Sequence, residues 1–313
     1  MNYALCFPGQ GAQEVGMGKA LYESFPSAKD VFDEADDALS MKLTGVIFEG
    51  PEEELRRTAI TQPAIMTTSI AAMRVLEKEM GVSLKPSCGA GHSLGEYTAL
   101  VAAKVLRFRD AVDLVHKRGA WMQEAVPEGV GAMAALMGLD AEDVVSVCAS
   151  VAPNMECQAA NFNSPGQVVI SGLAEFVEKA VAAAKEKGAK KAVPLNVSAP
   201  FHSRLMTPVA EKLKERFDAY KWGDAEWPIV CNATAAAESS AGSLRKVLFE
   251  QTYSPVRWAD SVVKMADGGV ETFLELGPGE VLSGLIKRCR KGLTVLAACT
   301  PDKLEQIARA VNP

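Results

Sequence analysis

The sequence predicts an α/β protein, with a large domain on a parallel sheet interrupted by a smaller inserted unit. Three observations predict it. From residue 3 to about 125, short apolar runs alternate with helical patterns, as expected for parallel strands joined by crossover helices. Between about 130 and 196 the order changes to strand, helix, two strands, helix, strand, which is the split βαβ arrangement. At 313 residues the chain also exceeds the size at which one core usually stops growing.

The elements follow in order. Residues 3–7 read as a buried strand. Helices are expected at 17–25, 27–40, 51–57 and 63–80. The last of these follows Gln62 and puts Pro63 in a first helical turn, where a missing N–H costs nothing. A small-residue stretch at 87–91 precedes helices at 94–103 and 108–125. Strands at 131–137, 156–162, 167–171 and 191–196 then alternate with helices at 140–151 and 173–187, with a turn at 163–166. This ferredoxin-like order defines a subdomain at 129–197 inserted in a large domain of 1–128 and 198–313, with a hinge at 127–129. The large domain resumes with a helix at 205–219, a strand at 228–232 and a helix at 256–267. A strand at 271–276, a helix at 280–290 and a last strand at 294–298 complete it. A cleft between the two units is the natural place for a substrate.

Composition excludes several classes. A net charge of −6 lacks the basic field of a nucleic-acid binder. The seven cysteines are scattered, odd in number and never spaced C-x-x-C, so free thiols in a reducing compartment are expected. None of the three histidines pairs with a cysteine at ligand spacing, and no metal site is expected. No apolar run reaches the ~20 residues of a membrane span. No basic region followed by an apolar one opens the chain. The expected location is the cytoplasm.

Gly91-His92-Ser93-Leu94-Gly95 carries the chemistry. A serine on a sharp strand-to-helix turn needs small residues two positions either side, and the helix start offers free N–H groups to an oxyanion. The serine needs a base. His92 is its neighbour and points elsewhere, a structural role, while His116 reads as a surface residue. His202 lies in a proline-containing turn between a strand and a helix, where bases are found, and is the favoured one. Arg118 falls on the same helical stripe as Ala111, Leu114, Val115 and Met122. A guanidinium there is internally ion-paired, snorkels to the surface, or is a bidentate clamp for a substrate carboxylate, and the pattern leaves these open. The turn from Phe7 to Gln13 is too short for a P-loop; it is a tight turn or a loop lending an N–H to an oxyanion.

With these residues in view, the whole chain resembles the malonyl-CoA:acyl carrier protein transacylase family. The resemblance rests on residues 7–13, Gln62-Pro63, 91–97, 115–119 with Met122, 161–166, Pro200-Phe201-His202, Gln251 and 275–279. It implies a hydrolase-like large domain around a ferredoxin-like insert. It implies Ser93 as nucleophile, His202 as base, and Gln251 supplying a main-chain or side-chain oxygen that orients His202. Gln10 and Leu94 would form the oxyanion hole and Arg118 would bind the malonyl carboxylate. Met122 would pack beside Arg118, Asn161 would line the site, and the bulk of Phe201 would disfavour an α-methyl group. The implied partners are a coenzyme A thioester and an acidic acyl carrier protein, with no metal or redox cofactor. Lys287-Arg288-Cys289-Arg290-Lys291 either docks the carrier or complements a helix dipole. A serine thioesterase and a non-catalytic carrier-binding protein are the competing readings, and polyketide and fatty-acid synthesis are not separated by these residues.

Overall fold

The computed structural model describes residues 2–127, 129–197 and 199–312. Ten strands form two sheets among these residues. They are β1 (Tyr3–Phe7), β2 (Cys88–Gly91), β3 (Gly131–Met137), β4 (Cys157–Ser164) and β5 (Gln167–Leu173), then β6 (Lys191–Pro194), β7 (Ile229–Val230), β8 (Ala237–Glu238), β9 (Thr272–Leu276) and β10 (Thr294–Ala298). The larger sheet runs β10-β9-β1-β2-β7-β8. Its first five strands are parallel and β8 closes the edge antiparallel. Every residue of β1 is buried, because helices cover both faces. Leu5 and Phe7 enter the main core while Ala4 and Cys6 face the opposite cluster.

The smaller sheet runs β4-β5-β3-β6 and is antiparallel throughout. Counted within the unit, this is the strand order of the ferredoxin-like arrangement. Helices Ala141–Val151 and Ala174–Glu186 cover one face through Leu136, Val168 and Ile170. Met133, Ala135, Ala160 and Val169 on the other face join the large core. β4 is also tied to the large unit by main-chain bonds, Phe162 N–H to the Val256 carbonyl and Val256 N–H to that of Ala160, both 2.8 Å. Glu128 and Ser198, where the expected domain boundaries fall, lie outside the described residues.

Several expectations are corrected. The helix expected at 63–80 spans Thr58–Lys78, with Pro63 inside it. Proline has no N–H for the carbonyl of Ala59, four residues back. That carbonyl instead accepts from His116 Nδ1 at 2.8 Å, so His116 is a half-buried structural group rather than a surface residue. Helices Leu43–Glu49, Ala241–Gln251 and Pro301–Val311 and the short β8 were not anticipated. The helix expected at 205–219 begins as a 3-10 turn, Arg204–Met206, before Thr207–Phe217. β2 forms despite weak β propensity, because β1 and β7 pair with both its edges. All seven cysteines are free; five are buried, and Cys289 and Cys299 are partly so.

Candidate active site

The site lies at the carboxyl ends of β1 and β2, where open parallel sheets place ligands. β2 ends at Gly91, and helix Leu94–Ala102 starts directly after Ser93. The turn leaves Ser93 at φ 51° and ψ −104°, a conformation that side-chain-bearing residues rarely adopt. Packing explains the two glycines of the pentapeptide. A Cβ on Gly91 would sit 1.9 Å from the Gly95 carbonyl carbon, and one on Gly95 would sit 2.0 Å from the Phe7 oxygen. Asn232, just beyond β7, pins the turn: its Oδ1 accepts from Ser93 N–H at 2.7 Å and its Nδ2 donates to the Gly91 carbonyl at 2.7 Å.

Ser93 Oγ lies 2.6 Å from His202 Nε2. His202 Nδ1 faces two main-chain carbonyls, Gln251 at 2.9 Å and Ser254 at 3.2 Å. Two acceptors require a proton on Nδ1, which leaves the Nε2 lone pair toward the serine hydroxyl. The oxygen that Gln251 gives to His202 is therefore its main-chain one. His202 is 2% exposed and itself holds φ 56°. Burial, aided by the nearby Arg118 charge and opposed by the two carbonyl bonds, pushes its pKa down to about 3. The imidazole is neutral near pH 7 and free to take a proton.

Arg118 is 1% exposed, on helix Phe108–Glu124. Its Nη1 donates to Gln62 Oε1 at 2.7 Å, and its Nη2 to Gln251 Oε1 at 3.1 Å and Ser93 Oγ at 3.2 Å. Its guanidinium lies 5.1 Å from the centre of the Tyr97 ring. No carboxylate bonds to it among the described residues, and its Nε has no partner. The internal ion pair left open by the sequence is absent there, and the cation is fixed, buried and short of an anion. Gln62 also donates to Met122 Sδ at 3.8 Å, which places Met122 beside the guanidinium's support.

Gln10, Leu94, Met122, Asn161 and Phe201 all line one cleft with Ser93, Arg118 and His202. The amides of Gln10 and Leu94 have no hydrogen-bond partner among the described residues. Leu94 has the first amide of its helix, where donors are unpaired by geometry. Asn161 Oδ1 is buried without a partner. Met133, Val169, Leu195 and Val197 supply the far, apolar wall. His92 stays out of the reaction geometry, with Nε2 on Asn163 Oδ1 at 2.8 Å and its ring against Trp258.

Sequence reasoning missed Asn232, Ser254 and Glu96. Glu96 is 1% exposed in a helix whose every residue is buried. A carboxylate in so apolar a helix was the one available signal. Asn232 gives none, since its importance depends on where β7 pairs.

The fold and site define an α/β class in which an elbow serine meets a histidine in a cleft partly walled by a four-stranded antiparallel unit. A family model described as acyl transferase domain matches residues 5–302. The malonyl CoA-acyl carrier protein transacylase of Bacillus subtilis (strain 168) is 52% identical over 303 residues, covering 96% of this chain and 95% of the relative. A solved acyl-carrier-protein-S-malonyltransferase from Bartonella henselae is 44% identical with a TM-score of 0.97, covering 100% of both chains. A malonyl-transacylase solved with its type II polyketide acyl-carrier protein is also 44% identical, with a TM-score of 0.96, covering 99% of this chain and 100% of that one. The chain belongs to the acyl transferase family, among the malonyl CoA-acyl carrier protein transacylases.

Proposed function

We propose that the protein transfers a malonyl group from coenzyme A to the phosphopantetheine thiol of an acyl carrier protein, through a malonyl ester on Ser93. One observation carries the reading: a buried guanidinium without a carboxylate partner stands 3.2 Å from the same hydroxyl that a neutral histidine holds at 2.6 Å. A fixed cation beside the nucleophile suits an acyl group that ends in a carboxylate, and a planar fork takes that carboxylate in two bonds.

In the first half-reaction Ser93 Oγ attacks the thioester carbonyl while His202 Nε2 takes its proton. The Gln10 and Leu94 amides receive the developing oxyanion. The C–S bond breaks, His202 returns the proton to the departing thiolate, and coenzyme A leaves. The carrier thiol then attacks the ester, giving its proton to His202, which passes it to Ser93 as the C–O bond breaks. Asn161 lines the acyl site, and Phe201 disfavours methylmalonyl. This chemistry draws on side chains and main-chain amides alone and asks for no metal or redox cofactor.

We assign the division of the chain as expected, 129–197 inserted in the rest, on the basis of its separate antiparallel sheet. Among the described residues no helix is long and apolar enough to cross a membrane. The proposed setting is the cytoplasm, with the carrier of type II fatty-acid synthesis as partner.

The test is intact-mass measurement after brief exposure to malonyl-CoA, beside Ser93→Ala. The wild type should gain one malonyl group and lose it on adding phosphopantetheinylated carrier, while the variant gains none. Equally fast discharge by water would indicate a thioesterase, and a wild type that never charges would sink the reading.

A further inference from the structure

Glu96 is a buried carboxylic acid that the proposed chemistry leaves without a task. It sits in the first turn of helix Leu94–Ala102, three residues after Ser93. Its Oε2 accepts from the main-chain N–H of Asn232 at 2.8 Å and from Gln251 Nε2 at 3.3 Å. Both donors belong to residues that hold the site. Asn232 pins the strained Ser93 turn by its side chain. Gln251 donates from Nε2 to the Ser93 carbonyl at 2.9 Å, and accepts from Arg118 at Oε1 and from His202 Nδ1 at its main-chain oxygen.

A glutamine amide can be turned end for end, and its two ends look alike to packing but not to charge. With Oε1 and Nε2 exchanged, an NH2 would face the Arg118 guanidinium and an oxygen would face the Ser93 carbonyl. An ionised carboxylate accepts only, so it holds Nε2 on its own side and leaves Oε1 for Arg118. The titratable groups around it are Arg118 on the neighbouring helix, Tyr97 on its own helix and Cys231 beside Asn232. Arg118 alone among these is a cation.

We propose that Glu96 is a positioning residue for malonyl transfer: its carboxylate fixes the sense of the Gln251 amide and the seat of Asn232, and so aims Arg118 and Ser93 together. The proposal rests on the function given above. Burial supports it independently, since it pushes the Glu96 pKa up to about 7. A carboxylate costly to ionise yet bonded to two residues that hold the site fits a positioning role.

The experiment compares Glu96→Gln with the wild type in malonyl-CoA and acetyl-CoA, reading the rate of ester formation on Ser93 by mass and the Tm at pH 8. The substitution keeps shape but removes the charge and the acceptor-only character. The expected result is malonyl loading slowed about 10- to 100-fold, the size of one charged hydrogen bond. Acetyl loading should be slowed less, and Tm should be unchanged or higher. Wild-type loading by the variant would overturn the proposal. So would equal losses on both donors, or a fall in Tm or failure to fold, each of which makes Glu96 an ordinary structural group. A wild type that does not load malonyl at all would instead refute the proposed function.

Discussion

Arg118 and His202 both hydrogen-bond one hydroxyl, and both are buried away from water. Arg118→Ala should remove the anchor for the free carboxylate. We expect kcat/KM for malonyl-CoA to fall about 100-fold or more, with acetyl-CoA little affected, so that discrimination between the two collapses in a paired-donor transfer assay. His202 and Glu96 give a pH signature with opposite signs. The folded pKa of His202 lies at about 3, below its ordinary 6.5. Stability from His202 is therefore present above about 6.5 and is lost as pH falls toward 3, costing about 2 kcal/mol between pH 7 and 5. The folded pKa of Glu96 lies at about 7, above its ordinary 4.5. Its penalty is absent at low pH and grows as pH rises through that window, so acidification from pH 7 to 5 returns about 2 kcal/mol. The two slopes nearly cancel in the wild type. Thermal melts should show Glu96→Gln losing stability on acidification and His202→Gln gaining it, and parallel curves for the two variants would contradict the assignment.

At the scale of elements, helix Thr58–Lys78 shows how one residue type is tolerated by borrowing from another element. Pro63 leaves the Ala59 carbonyl without its helical donor, and His116 on the crossing helix supplies one. His116→Leu should orphan that carbonyl and cost about 1–3 kcal/mol in urea melts. Adding Pro63→Ala restores an N–H four residues along and should recover much of the loss, so the double-mutant cycle should be strongly non-additive. Helix Ala241–Gln251 was invisible in the sequence because its pattern is short and mixed, yet it carries the residue whose main-chain oxygen orients His202. Helix Leu94–Ala102 was legible from its apolar run and the glycines before and after Ser93. Those glycines are required by contacts of about 2 Å with backbone that the local sequence does not contain.

For the whole molecule, the net charge of −6 gives no long-range pull on the acidic carrier that the resemblance implies, so any attraction must be local. Arg288 borders a groove with Gly9, Gln10, His92 and Asn163, next to the site. Lys287 and Lys291 are exposed nearby in the sequence, while Arg290 is paired with Asp267. Lys287 and Arg288 also occupy the last turn of helix Val281–Cys289, which fits the dipole reading and leaves the docking one to experiment. Reversing Lys287 and Arg288 to glutamate should raise the carrier's apparent KM several-fold, about 1 kcal/mol, with a weaker salt dependence. An unchanged carrier KM would remove this face from the docking surface.

By itself the sequence determined the fold class, and it pointed to the inserted four-stranded unit and to Ser93, His202 and Arg118 while leaving the role of Arg118 open. Strand and helix periodicity, the glycine spacing of an elbow and a cation on an apolar stripe are local signals, written in neighbouring residues. Tertiary structure alone decided which oxygen of Gln251 faces His202, that Arg118 has neutral partners, and that Asn232 and Glu96 brace the turn. Each of these depends on groups some 25 to 158 positions apart meeting within about 3 Å. No periodicity records such a meeting, because it is fixed by how strands pair and helices cross.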